Sequence, residues 1–329
     1  MFLGYMHAFR ALAITYIVAG HVIDAFIWAN PNIENLLRIF LGNGSVLFVF
    51  IAGYLFQHLS VRFNARKYYE SKLKNVITPY LLVSIPAIVI FVTVLERESM
   101  WSGFYDHSIW EQIGLFYLTG YHLAPLWFIP MIALFFIIAP LLVKADRSSF
   151  IYYTLPVLII ISCFVSRGLP HENFVHFFSV FVAGMFCSRY KESINPVISR
   201  YSVIALSLAV GLAFAAMEFF LMEHTMTYLN YLQKMAMSVL FLGLFIKYED
   251  QLNYKPIAIV AGVSFGIFFV HSYFITAGKI IYSKLAGDLP EGSLISFTLL
   301  TIVVLLVCTL LIMLIQKIFS KNSRYLVGS

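Results

Sequence analysis

Charge is scarce in this chain. Asp, Glu, Lys and Arg make up only 12% of its 329 residues, where a soluble globular protein carries roughly 25%. So little charge cannot cover the surface of a soluble domain this size. That excludes a soluble enzyme, a disordered chain and a soluble basic nucleic-acid binder, and no nucleic-acid partner is expected. Cysteine is nearly absent: Cys163, Cys187 and Cys308 fall inside apolar runs with no paired spacing, so neither a disulfide framework nor a zinc site is indicated. There is no internal repeat, no low-complexity tract and no Pro/Gly/Ser linker, which makes residues 1–329 a single expected domain. The first apolar run contains Arg10 and is not followed by a small-residue cleavage pattern, so it is expected to stay as a span rather than leave as a signal peptide.

What is present is apolar surface. Hydrophobic residues make up 61% of the chain, aromatics 17%, and the mean hydropathy is +0.86. A membrane span needs roughly 20 mostly apolar residues. The apolar runs give ten expected spans, at about 6–28, 42–60, 76–95, 126–143, 150–166, 173–188, 201–220, 229–247, 257–282 and 293–316. The expected fold class is therefore all-α, a polytopic integral membrane protein. With ten spans both termini share one side. Fifteen of the 22 lysines and arginines fall on that side and five on the other, with Arg10 and Lys234 inside spans. The positive-inside rule then places both termini in the cytoplasm.

Ionisable side chains inside spans are costly and mark interiors or water-filled cavities. The first span holds Arg10 and His21. Eleven residues correspond to about 16.5 Å of helical rise, and at about 100° per residue the two side chains end about 20° apart, on one face. A permanent cation near the cytoplasmic mouth and a proton-transfer group past mid-membrane suit a long anionic donor entering from the cytoplasm. The plainer alternative is an arginine snorkelling to headgroups and a histidine hydrogen-bonded between helices. Asp24 stands close enough to orient the imidazole. In the second span, Ala52-Gly53 permits the close approach of a backbone or a ligand, and Tyr54 adds a hydroxyl. Arg62, Arg66, Lys67, Lys72 and Lys74 form a basic stretch for lipid headgroups or nucleotide phosphates. Trp127 opens the fourth span. Ser264 and His271, seven apart, share a face of the ninth. His176, Glu218 and Lys234 read as packed, hydrogen-bonded groups. The segment from Glu96 to Pro125 is either an aromatic belt at headgroup depth or a wall of an outward-facing acceptor site.

Five segments in order resemble the acyltransferase family 3 membrane proteins. They are Arg10-x(10)-His21, Phe48-Val-Phe-Ile-Ala-Gly-Tyr54, the basic stretch leading to Pro79-Tyr80, Leu126-Trp127-Phe128 and Ser264-Phe-Gly-Ile-Phe-Phe-Val-His271. The resemblance implies an integral membrane enzyme that takes an acyl group, most commonly acetyl, from cytoplasmic acyl-CoA. The acceptor is a hydroxyl of a cell-surface polysaccharide or glycolipid, and the setting a bacterial inner membrane. Acyl-CoA is a co-substrate, and no permanently bound cofactor or metal is implied. The family's arginine and histidine carry over onto Arg10 and His21, and its Arg-x-Arg pair falls on Lys72 and Lys74, which keep the charge and lose the guanidinium fork. Some members add a soluble esterase-like domain; a membrane core alone is expected here. On this basis Arg10, Lys72, Lys74 and Arg66 are expected to bind the CoA phosphates, with the pantetheine arm running up an internal passage to His21 as general base, supported by Asp24. Tyr54, Trp127, Ser264 and His271 are expected to line the passage and acceptor side, with Trp127 or Tyr54 donating to the oxyanion. The reading from another class is a transporter or flippase of lipid-linked glycans; its usual signs, inverted repeats and helices broken at matching places, are not evident.

Overall fold

The computed structural model describes residues 3–222, 227–252 and 254–328. Among these the regular structure is helical, with one isolated bridge between Ile27 and Glu291. The helices are α1 (Gly4–Val22), α2 (Pro31–Leu41), α3 (Ser45–Ser60), α4 (Ala65–Lys72), α5 (Thr78–Thr93), α6 (Ile109–Thr119), α7 (Phe128–Ile137), α8 (Ala139–Ser148), α9 (Phe150–Tyr153) and α10 (Leu155–Phe164). They continue with α11 (Pro170–Arg189), α12 (Lys191–Ile198), α13 (Tyr201–Leu221), α14 (Tyr228–Lys247), α15 (Glu249–Leu252), α16 (Lys255–Ala286), α17 (Leu294–Phe319) and α18 (Ser323–Val327).

The expected ten spans are corrected in number. Among the described residues seven helical stretches are long and apolar enough to cross a membrane, two of them joining consecutive helices (α2 with α3 over Pro31–Ser60, α4 with α5 over Ala65–Thr93), and eight if the bent pair α7–α8 counts as one. Each expected run does become a helix, but α10 has only ten residues, about 15 Å of rise against a hydrocarbon core about 30 Å thick. In α11, His171, Glu172, Asn173 and His176 lower the hydropathy. Those polar groups are tolerated because α11 packs inside the protein, with Asn173 and His176 buried. The 59° bend between α7 and α8 falls at Ala139-Pro140, where proline lacks the N–H that would continue the ladder and crowds the preceding turn.

Burial sorts the helices into centre and rim. The apolar stretch of the first span is 61% buried, whereas those of α13 and α17 are 22% buried and face outward, as lipid-facing helices must. At the centre α3 and α11 cross with almost no side chain between them. A Cβ on Gly53 would collide with the Phe181 carbonyl oxygen, and one on Gly184 with that of Phe50. The Ala52-Gly53 step therefore serves a helix crossing.

The ends of the bundle are distinct. At one end the Tyr5 N–H donates to Glu249 (3.1 Å), Lys74 sits over the Tyr325 ring (4.3 Å) and Asp146 accepts from Gln57 (3.4 Å) and Tyr152 (2.5 Å). At the other, Arg38 pairs with Asp24 (2.7 Å), and Asn230 and Lys234 both donate to the Ile39 carbonyl (2.9 and 2.7 Å). The N-terminus, the 62–74 stretch, residues 144–147 and the C-terminal helix thus gather at one basic end. Arg189 at the end of α11 reaches Asp146 at this basic end (4.0 Å), while Arg167 before α11 bonds Asn43 at the other, so α10 and α11 also run between the two ends, and both described termini lie at the basic one.

Candidate functional site

α1 and α16 pack side by side, and the polar residues of one meet those of the other at two levels. At the basic end Arg10 Nη2 donates to Ser264 Oγ (3.0 Å). Deeper, the rings of His21 and His271 face each other with centroids 5.3 Å apart. His271 is fully buried, with Nδ1 2.9 Å from the Ile267 carbonyl. A carbonyl oxygen only accepts, so Nδ1 carries the proton. Nε2 is then a bare acceptor, buried without a hydrogen-bond partner. His21 is half-buried and makes no hydrogen bond among the described residues.

These two levels open into different cavities. At the basic end a cavity of about 540 Å³ is lined by Arg10, Ser264, Lys72, Lys67 and Arg62 beneath an aromatic roof. His21 stands in a second cavity, about 190 Å³, with Asn43, Trp127 and Arg167. Phe128 lines both, with Phe268 edge-on at 5.5 Å and Phe48 at 6.5 Å. The single internal passage expected from the spacing is instead two cavities that meet at these phenylalanines. Apolar rings fill that level because Phe128 from α7 meets Phe48 from α3 and Phe268 from α16 there.

Several expected site residues make other contacts than expected. Asp24 lines the His21 cavity together with Arg38, but its carboxylate is paired with Arg38 (2.7 Å), which also holds Glu34 (2.7 Å), and it makes no hydrogen bond to His21. Tyr54 is fully buried, bonds the Tyr5 hydroxyl (2.8 Å) and lines neither cavity. Lys72 reaches the basic cavity between the rings of Phe136 (4.8 Å) and Tyr68 (5.2 Å). Lys74 turns away onto Tyr325, because residues two apart on a helix point about 200° apart. Arg66 is exposed and paired with Glu70 (2.9 Å). Arg62 and Lys67, counted in the basic stretch but not among the expected ligands, stand on the cavity instead. Ser264 lines the basic cavity, and His271 lies behind His21.

A third cavity, about 520 Å³, lies outward of His21 and shares Trp127 and Arg167 with the His21 cavity. Arg167 was unremarkable in the sequence, one cation in a short connection. In the structure its guanidinium lies 4.5 Å over the Trp127 ring, and Nη1 donates to Asn43 Oδ1 (3.2 Å). Burial pulls its pKa down to about 10, which leaves it cationic at neutral pH. Asn43 adopts φ 57°, a left-handed conformation that asparagine tolerates better than most residues. Its side chain is buried, so the Asn43-Gly44-Ser45 sequon presents no accessible amide.

The segment between Glu96 and Pro125 divides its roles. Phe104 and Phe116 pack with Ile88 as a small core, Ser108 and Glu111 cap α6, and hydrogen bonds from Ser108 hold the exposed Glu111 carboxyl below its usual range. Trp110 is exposed, and Tyr121 alone among the described residues of the segment reaches the outer cavity before Trp127. Lys234 is fully buried and hydrogen-bonded, the Glu218 carboxylate accepts the Thr227 N–H (3.3 Å), and His176 Nδ1 meets the Val165 carbonyl (2.8 Å).

A family model described as an acyltransferase domain matches residues 3–313 of this chain. No curated protein and no solved structure matches it.

Proposed function

The chain belongs to acyltransferase family 3, which makes it a membrane acyltransferase, and from that premise we propose that it moves an acyl group, acetyl in the simplest case, from acyl-CoA at the basic end to a hydroxyl of a carbohydrate or glycolipid at the opposite end. The positive-inside rule assigns the basic end to the cytoplasm, where acyl-CoA is found. The observation that carries this reading is the pair of cavities abutting at Phe128, one holding Arg10 among lysines and the other holding His21.

Arg10, Lys72, Lys67 and Arg62 supply cations for the CoA phosphates. The about 16.5 Å of rise from Arg10 to His21 compares with about 15–20 Å for an extended pantetheine arm. A thioester anchored by its phosphates therefore reaches the Phe128 level with its carbonyl toward His21. Phe128 would turn aside to admit it. His21, as neutral imidazole, takes the proton of the acceptor hydroxyl as its oxygen attacks the thioester carbonyl. The tetrahedral intermediate collapses with cleavage of the C–S bond, and the CoA thiolate leaves with the proton returned by imidazolium. The outer cavity, walled by Trp127 and Tyr121, suits the acceptor.

Purified protein in lipid nanodiscs, given acyl-labelled acyl-CoA, is expected to release free thiol in proportion to added acceptor. Movement of a glycan without consumption of acyl-CoA would instead mean a carrier. Arg10→Gln is expected to raise the KM for acyl-CoA by about tenfold to a hundredfold, the loss of one charge-assisted contact to phosphate, while the acceptor KM stays unchanged. Initial rates against each substrate separate the two constants.

A further inference from the structure

The outer cavity contains a cation and, among the described residues, no acid to match it. Arg167 Nη1 bonds Asn43, Nε is buried without a partner, and no hydrogen bond from Nη2 is found among the described residues. No described carboxylate lies within ion-pair distance of it. The neighbouring acids are engaged elsewhere: Asp24 by Arg38, and Glu172 by the Leu169 N–H (2.6 Å). A half-buried guanidinium that has no counter-charge among the described residues is costly to maintain, and its planar fork matches carboxylate or phosphate. Among the described residues the rest of the lining holds no Asp, Glu or Lys; beside small and apolar groups it includes Trp127, Tyr121, Tyr228, Asn173 and His176, which are aromatic or hydrogen-bonding. Flat aromatic faces beside amide and hydroxyl groups are the surfaces on which sugar rings stack. At about 520 Å³ the space falls within the usual range for small-molecule sites. Arg167 and Trp127 are also the wall shared with the His21 cavity, so a ligand seated here lies next to the reacting centre.

We propose that this cavity binds an anionic saccharide, with Arg167 holding its carboxylate or phosphate and the sugar face lying against Trp127, so that a neighbouring hydroxyl reaches His21. The acceptor is thereby selected by charge as well as by its hydroxyl. This rests on acyl transfer for its consequence, but binding is measured without acyl transfer, so the two fail separately.

The test is calorimetric titration of the full chain in detergent with three probes: a hexuronic-acid disaccharide, its carboxyl-reduced neutral counterpart, and the neutral disaccharide carrying one phosphate. At least one anion is expected to bind about tenfold or more tightly than the neutral sugar, as a charge-assisted bidentate contact implies. Whichever anion binds better identifies carboxylate or phosphate as the natural group. Arg167→Gln is expected to reduce the preference to near parity. Arg167→Lys, which keeps the charge and loses the fork, is expected to retain part of it; this variant and the wild-type preference itself carry the test if Arg167→Gln does not fold. In nanodiscs with acyl-CoA, Arg167→Gln is expected to raise the KM of the anionic acceptor about tenfold and leave that of acyl-CoA unchanged. Equal binding of all three probes, no binding of any, or an anion preference that survives Arg167→Gln overturns the proposal. Charge-selective binding without acyl transfer overturns the proposed function and leaves this site standing.

Discussion

His21→Ala is expected to lower acyl transfer by a factor of about 10²–10⁴, the usual contribution of a positioned general base, with the protein still folded and inserted. The two effects separate because His21 makes no hydrogen bond among the described residues and is only half-buried. Its removal leaves no orphaned partner and takes away only ring contact with His271. The binding of acyl-CoA is expected to survive, since Arg10 and the lysines that hold the phosphates line a different cavity. Single-turnover rates with labelled acyl-CoA, beside a thermal melt and an acyl-CoA binding isotherm, make the comparison. Undiminished turnover in His21→Ala sinks the general-base role. Loss of the melt transition would instead show that the ring is structural.

Gly53→Ala is expected to be among the most destabilising single-methyl changes in the described residues. The added Cβ meets the Phe181 carbonyl oxygen, a backbone atom that cannot rotate away, and the reciprocal contact of Gly184 with Phe50 lies in the same crossing. α3 and α11 must then move apart. Overpacking typically costs about 1–3 kcal/mol, occasionally more, and without a hydrophobic force between helices in lipid the lost packing is not recovered elsewhere. Gly262→Ala provides the contrast: on α16 a Cβ at that position meets nothing within 4 Å, so the change is expected to be neutral or slightly stabilising. Gly184→Ala alone is expected to match Gly53→Ala, and the double variant to cost less than the sum, since one separation relieves both clashes. Thermal stability by fluorescence-detected size exclusion decides this. Equal melting of Gly53→Ala and Gly262→Ala would contradict a close backbone crossing.

Both experiments bear on positions visible in the sequence whose meaning came from their neighbours. Ala52-Gly53 announces a close approach without saying to what. Trp127 announces a polar handle on an apolar body, and its cation partner lies 40 residues further along the chain. Lys72 and Lys74 look equivalent as a basic pair, yet the helix turns one into a cavity and the other onto Tyr325. Asp24 is a plausible support for His21 by helical spacing and is taken by Arg38, fourteen residues away on α2.

Taken alone, the sequence determined that this is an all-helical membrane protein, that its basic connections share one end, and that Arg10 and His21 lie on one face of the first span. Those follow from composition and the 3.6-residue period, which are local properties of the chain. Tertiary structure decided the number of helical stretches able to cross a membrane, the division of the interior at Phe128, and the place of Arg167 between the His21 cavity and the outer one. Periodicity fixes the direction in which a side chain leaves its helix; which helix stands opposite depends on packing between segments far apart in the chain.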